Sequence, residues 1–168
     1  EDASEMSELA TERNSTDIKE EFAVAFAAAL LSGQKKLFSA GDTPVSQRVW
    51  KHSHPDVRWL GEDREERSIK IGKDFEDPGT VREIIHWASM KPHESSWKVC
   101  IVLGAERLTE DAANAFLKTL EEPPAHTVFC LLVENKTHLL ETIQSRSFEI
   151  RLTPMPFQPV PKNLASMT

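Results

Sequence analysis

Apolar positions along this chain follow two periodicities, and the change from one to the other outlines the fold. From Asp17, residues Ile18, Phe22, Ala25, Phe26, Ala29 and Leu30 recur at three- and four-residue spacing. That spacing predicts a helix of about four turns that stops at Gly33. A helical turn is expected at 45–50, between loops carrying Gly41, Pro44 and Pro55. Short extended pieces are expected at 57–60 and 68–72. Val81, Ile84, Ile85 and Ala88 then return to helical spacing over 80–89. Leu108, Ala112, Ala113, Phe116, Leu117 and Leu120 do so again over 109–122, where Thr109 is placed to cap. Glu110 and Asp111 suit the positive end of that helix, and Pro123 and Pro124 end it.

Three runs are apolar without a helical period: KVCIVL at 98–103, TVFCLLV at 127–133 and FEIRL at 148–152. They alternate with the helix at 109–122 and one expected near 137–144. Continuous apolar strands separated by helices imply a parallel sheet covered on both faces, an α/β fold. One core domain is therefore expected over 17–153. Residues 1–16 read as an acidic leader without a core, and 154–168, with four prolines within eight positions, as an extended tail.

Charge and cysteine content narrow the function. A net charge of −7 argues against a chain that holds DNA by its own electrostatics and favours a protein partner. Cys100 and Cys130 each sit inside a strand-like run, so buried thiols are expected rather than metal ligands or a bridge. No apolar run approaches the roughly 20 residues of a membrane span, which makes the cytoplasm the default location. His52 and His54 lack a third ligand at fixed spacing and read as part of a turn, with no metal site. Trp50, Trp59, Trp87 and Trp97 are scattered, which suits packing better than base stacking.

A nucleotide-binding α/β domain needs a glycine-rich cradle for phosphates and an acidic pair at a strand end. No glycine precedes Gly33, so the phosphate loop is missing and no cofactor is expected. The strand at 98–103 is followed by Leu103-Gly104-Ala105-Glu106, and a leucine cannot coordinate magnesium.

The stretch from Lys98 to Leu152 resembles the AAA+ module of bacterial DNA polymerase III clamp-loader subunits, most of all the delta-prime type. Ala112-Ala113-Asn114-Ala115, Leu117-Lys118-Thr119-Leu120-Glu121-Glu122-Pro123-Pro124, Thr142-Ile143 and Ser145-Arg146 carry the likeness. His54-Pro55-Asp56-Val57, Val81-Arg82-Glu83-Ile84 and Trp97-Lys98-Val99 extend it upstream. The resemblance implies a P-loop NTPase-like αβα sandwich with a parallel sheet, working in DNA replication. Catalytic relatives carry Asp-Glu-Ala-Asp where this chain has Leu103 to Glu106, so no ATPase activity of its own is expected. Many relatives hold zinc with four cysteines in the region matching 34–53, where this chain has none. Val133-Glu134-Asn135 replaces a sensing Thr or Asn at a strand end, which puts that role in doubt.

The resemblance assigns Arg146 as a finger offered in trans to the ATP of a neighbouring gamma/tau subunit, with Ser145, Asn114, Glu121 and Glu122 at the interface. Ser147 stands where relatives have a cysteine. Implied partners are gamma/tau and delta subunits, with the sliding clamp and primed DNA reached through the complex. Arg146 also has a plainer reading, as a solvated or carboxylate-paired surface residue. Glu121 and Glu122 can equally be solvated at a helix end. An ATPase whose phosphate loop lies upstream, and a scaffold without an ATPase role, are the alternative functions.

Overall fold

The computed structural model describes residues 15–34 and 43–152. Three parallel strands, β1 (Val57–Leu60), β2 (Lys98–Leu103) and β3 (Thr127–Leu132), lie side by side in chain order. Among the described residues, five α-helices accompany them: α1 (Ser15–Leu31), α2 (Pro44–Trp50), α3 (Val81–Ser89), α4 (Glu110–Glu121) and α5 (Glu141–Gln144). The leader up to Asn14 and the tail at 154–168 lie outside the described residues.

Alternation along each strand divides the core into two layers. Leu60, Cys100 and Val102 face one way and pack with Val81, Ile84, Trp87 and Ala88 of α3 and Ala112, Ala113 and Phe116 of α4. Val57, Trp59, Val99, Ile101 and Leu103 face the other way, onto Ala23, Val24 and Ala27 of α1 and Val49 of α2. Helices thus cover both faces, the αβα arrangement expected of continuous apolar strands. Cys100 and Cys130 belong to opposite layers and are free thiols.

Four expectations need correction. On α1 Ala25 and Ala29 are buried as expected, together with Ala23, Val24, Ala27 and Ala28, whereas Phe22 and Phe26 are only half-buried. Residues 68–72 form no strand; Ile69 makes a single parallel bridge to Leu108. The helix near 137–144 is split into a 3₁₀ turn at Lys136–His138 and the short α5, separated by Leu139 and Leu140 in extended conformation. The run at 148–152 is not a strand, and Phe148 and Ile150 are 92% and 56% exposed. Among the described residues β3 pairs only with β2, and the segment at 148–152 joins no ladder.

A candidate subunit interface around Arg146

Helix α4 supplies one wall of the site. Thr109 Oγ1 accepts a hydrogen bond from the Ala112 amide at 3.3 Å, and Glu110 and Asp111 occupy the first turn. Phe116 is fully buried and meets Phe129 of β3 edge-on at 5.1 Å between ring centres. With that face fixed inward, Asp111, Asn114, Lys118, Glu121 and Glu122 all point to solvent. Their spacing of three and four residues makes a continuous polar stripe.

Helix α5 positions the arginine. Ile143 is fully buried in the layer shared with α4 and anchors the turn. Gln144 Nε2 donates to the carbonyls of Lys136 and Leu139, at 2.9 and 2.7 Å, and holds the turn from behind. Ser145 Oγ donates to Thr142 O at 3.0 Å, and the Arg146 amide to Ile143 O at 3.1 Å. The Arg146 guanidinium then reaches back to α4, where Nε donates to Glu121 Oε1 at 2.7 Å and Nη2 pairs with the same carboxylate. Nη1 donates to Thr142 O at 2.9 Å and Ser145 Oγ at 3.1 Å. The side chain stays 35% exposed. Arg146, Ser145 and Glu121 are therefore one cluster; Asn114 lies two turns up the stripe, and Glu122 is the C-cap of α4.

The end of β2 is built differently from a metal site. Gly104 turns the chain at φ +66°, and a Cβ there would stand 2.6 Å from Arg107 Nε. Arg107 folds across this end, giving Nη2 to Leu103 O at 2.8 Å and to Gly61 O at 2.5 Å. Its Nη1 reaches Asp63 O and Glu66 O at 2.9 and 2.8 Å. The guanidinium thus ties the carbonyl ends of β1 and β2 to the loop that follows β1. Glu106 is engaged as an acceptor from the Glu134 amide at 3.0 Å, which links the ends of β2 and β3. Asn135 Oδ1 accepts from the Thr137 amide and hydroxyl at 3.0 and 2.8 Å, a local cap.

Arg107 was not singled out by the sequence, and neither was a buried polar cluster at the opposite end of the sheet. Asp56, 1% exposed, accepts from the amides of His93, Glu94 and Ser95. Burial raises its pKa, but these amide bonds outweigh that and leave the carboxyl below its ordinary value. Lys98, also 1% exposed, donates to Trp87 O and to Met90 O and lies 4.2 Å over the Trp87 ring. Burial lowers its pKa, and nearby Asp56 counters part of that. His54 Nδ1 accepts from the Asp56 amide at 3.2 Å, and burial lowers its pKa in turn. A lysine opening an apolar run and an aspartate two residues past a histidine were the available signals.

A three-layer domain with chain-ordered parallel strands, and an arginine held out after the last short helix, has the core architecture of an AAA+-type module. The chain belongs to the family described as DNA polymerase III, delta subunit, whose model matches residues 9–156. It is 42% identical to the DNA polymerase III subunit delta' of Haemophilus influenzae over 111 residues, 63% of this chain and 32% of that protein. The Bacillus subtilis subunit delta' is 42% identical over 114 residues, 68% of this chain and 30% of that protein. Among solved structures, the DNA polymerase III gamma subunit-related protein of Thermotoga maritima matches with a TM-score of 0.51 at 32% identity, over 71% of this chain and 38% of its own. The chain spans about a third of the length of the curated relatives it matches.

Proposed function

We propose that this domain serves a DNA polymerase III clamp loader as a delta-prime-like subunit without ATPase activity of its own, presenting Arg146 to the ATP of a neighbouring gamma/tau subunit. The observation that carries the reading is the exposed Arg146 guanidinium held beside a polar stripe of α4 that no part of the described chain covers. A planar, permanently charged guanidinium suits the charge that develops on a transferred phosphoryl group. The non-catalytic half of the proposal rests on Leu103 and Gly104 at the end of β2, neither of which has a side chain that could bind magnesium. Partners follow from this reading: gamma/tau directly, delta within the same assembly, and clamp and primed DNA through the complex.

In a loader reconstituted with the full-length protein, Arg146→Ala should slow turnover at the neighbouring ATP site by roughly a thousandfold, with Arg146→Lys restoring little. Unchanged turnover at that site overturns the proposal. The ion pair with Glu121 favours a second reading, in which Arg146 merely ties α5 to α4. Loss of stability with normal turnover would mark that role.

A further inference from the structure

We propose that Gln144 is the positioning residue of the Arg146 site: its side-chain amide sets the direction in which the arginine leaves α5. The inference rests on the role given to Arg146 above and adds to it a residue outside the Ser145-Arg146 pair. Helix α5 is a single turn of four residues with no side chain capping its start. Such a turn does not hold itself in water, because helix nucleation is unfavourable until further turns are added. Its geometry therefore comes from outside the turn. Ile143, fully buried in the layer shared with α4, supplies one anchor. A single apolar anchor fixes a point and leaves the turn free to swivel about it.

Gln144 removes that freedom. Its Nε2 gives one N–H to Lys136 O at 2.9 Å and the other to Leu139 O at 2.7 Å, which ties α5 to the 3₁₀ turn before it. That turn is fixed in its own right, by the Asn135 side chain that caps it through Thr137 and by Leu139 in the core. Arg146 follows two residues later and reaches to Glu121 of α4. Gln144 thus holds the turn against the 3₁₀ segment while Arg146 works on the side of α4. The Glu121 contact cannot set the direction during function, since the guanidinium must give it up to engage a phosphate. The Gln144 bonds do not touch the guanidinium and persist through that exchange. Both partners of Gln144 are carbonyls, so only a donor suits the position. Gln144→Glu keeps the shape of the side chain and turns two hydrogen bonds into two repulsive contacts.

The test follows the Arg146 Nε–H group by heteronuclear NMR in the full-length protein. Gln144→Glu should speed exchange of that proton with water by at least about tenfold, with amide exchange across α4 left at the parent rate. In the reconstituted loader it should slow turnover at the neighbouring ATP site by roughly tenfold to a hundredfold, with KM for ATP within about twofold of the parent. It should slow turnover no further in an Arg146→Ala background, and Gln144→Lys, which keeps a donor, should recover most of the loss. Nε–H exchange unchanged by Gln144→Glu overturns the proposal. So does equal slowing with and without the arginine, or faster exchange throughout α4, either of which would mark a residue that only supports the fold. Normal turnover in Arg146→Ala would instead dismiss the role given to the arginine, while a changed Nε–H exchange would still assign its placement to Gln144.

Discussion

Arg146 and Glu121, 25 residues apart, are joined through two guanidinium nitrogens on one carboxylate, which fixes the arginine over the last turn of α4. The pair is solvent-exposed, so its worth to the fold is small, under about 1 kcal/mol. Glu121→Gln should therefore change unfolding stability by less than about 1 kcal/mol while leaving Arg146 free to reorient. In the reconstituted loader its turnover should stay within about threefold of the parent, against the large loss expected for Arg146→Ala. Equal damage from both substitutions would show that the pair, rather than the arginine, is what the assembly needs.

Asp56 and His54 make stability depend on acid. Both have folded pKa values below their ordinary ones, so the unfolded chain binds more protons and stability falls as pH falls. The His54 contribution is complete above its ordinary 6.5 and is lost as pH drops toward its lowered folded value. Asp56 follows below its ordinary 3.8. Urea unfolding midpoints between pH 8 and pH 3 should decline in two stages, and His54→Gln should remove the first. Asp56→Asn should cost about 2–4 kcal/mol at neutral pH, because three amides lose a charged acceptor. A midpoint independent of pH would contradict this account.

Phe116 carries the contact between α4 and β3. It is fully buried and touches Phe129, so Phe116→Ala should destabilise by about 3–5 kcal/mol in chemical denaturation. A loss under about 1 kcal/mol would mean that the packing described here is not what holds α4.

Gly104 and Arg107 form a single joint at the end of β2. Gly104→Ala imposes a side chain on a left-handed backbone and drives its Cβ against Arg107, so a cost of about 1–3 kcal/mol is expected. Arg107→Ala leaves four carbonyls without this donor and should cost about 2–3 kcal/mol. The double variant should cost less than the sum, since one partner of the clash is gone. Additive losses would show the two residues to be independent.

Much of the fold was legible because its elements are governed by local periodicity. The runs at 57–60, 98–103 and 127–132 and the capped α4 needed only spacing, Thr109 and the paired prolines. The failure at 148–152 has a clear cause: an apolar alternating run becomes a strand only beside another strand, and sequence patterns do not show whether that neighbour is present. The split near 137–144 escaped because Gln144 holds the turn by side-chain bonds to Lys136 and Leu139. At the site, Arg146 was found by its motif, whereas its engagement with Glu121 depends on tertiary placement. The bonds made by Arg107 and Asp56 were not legible for the same reason, since their partners are backbone groups that only the folded chain brings near.

Spatial order in the sheet repeats order in the chain: β1, then β2, then β3, each joined to the next by a segment that lays a helix over the same face. Among the described residues, these three strands can therefore dock in the order of their synthesis, each on the one just completed. While they are being added, the growing end is the youngest of the three.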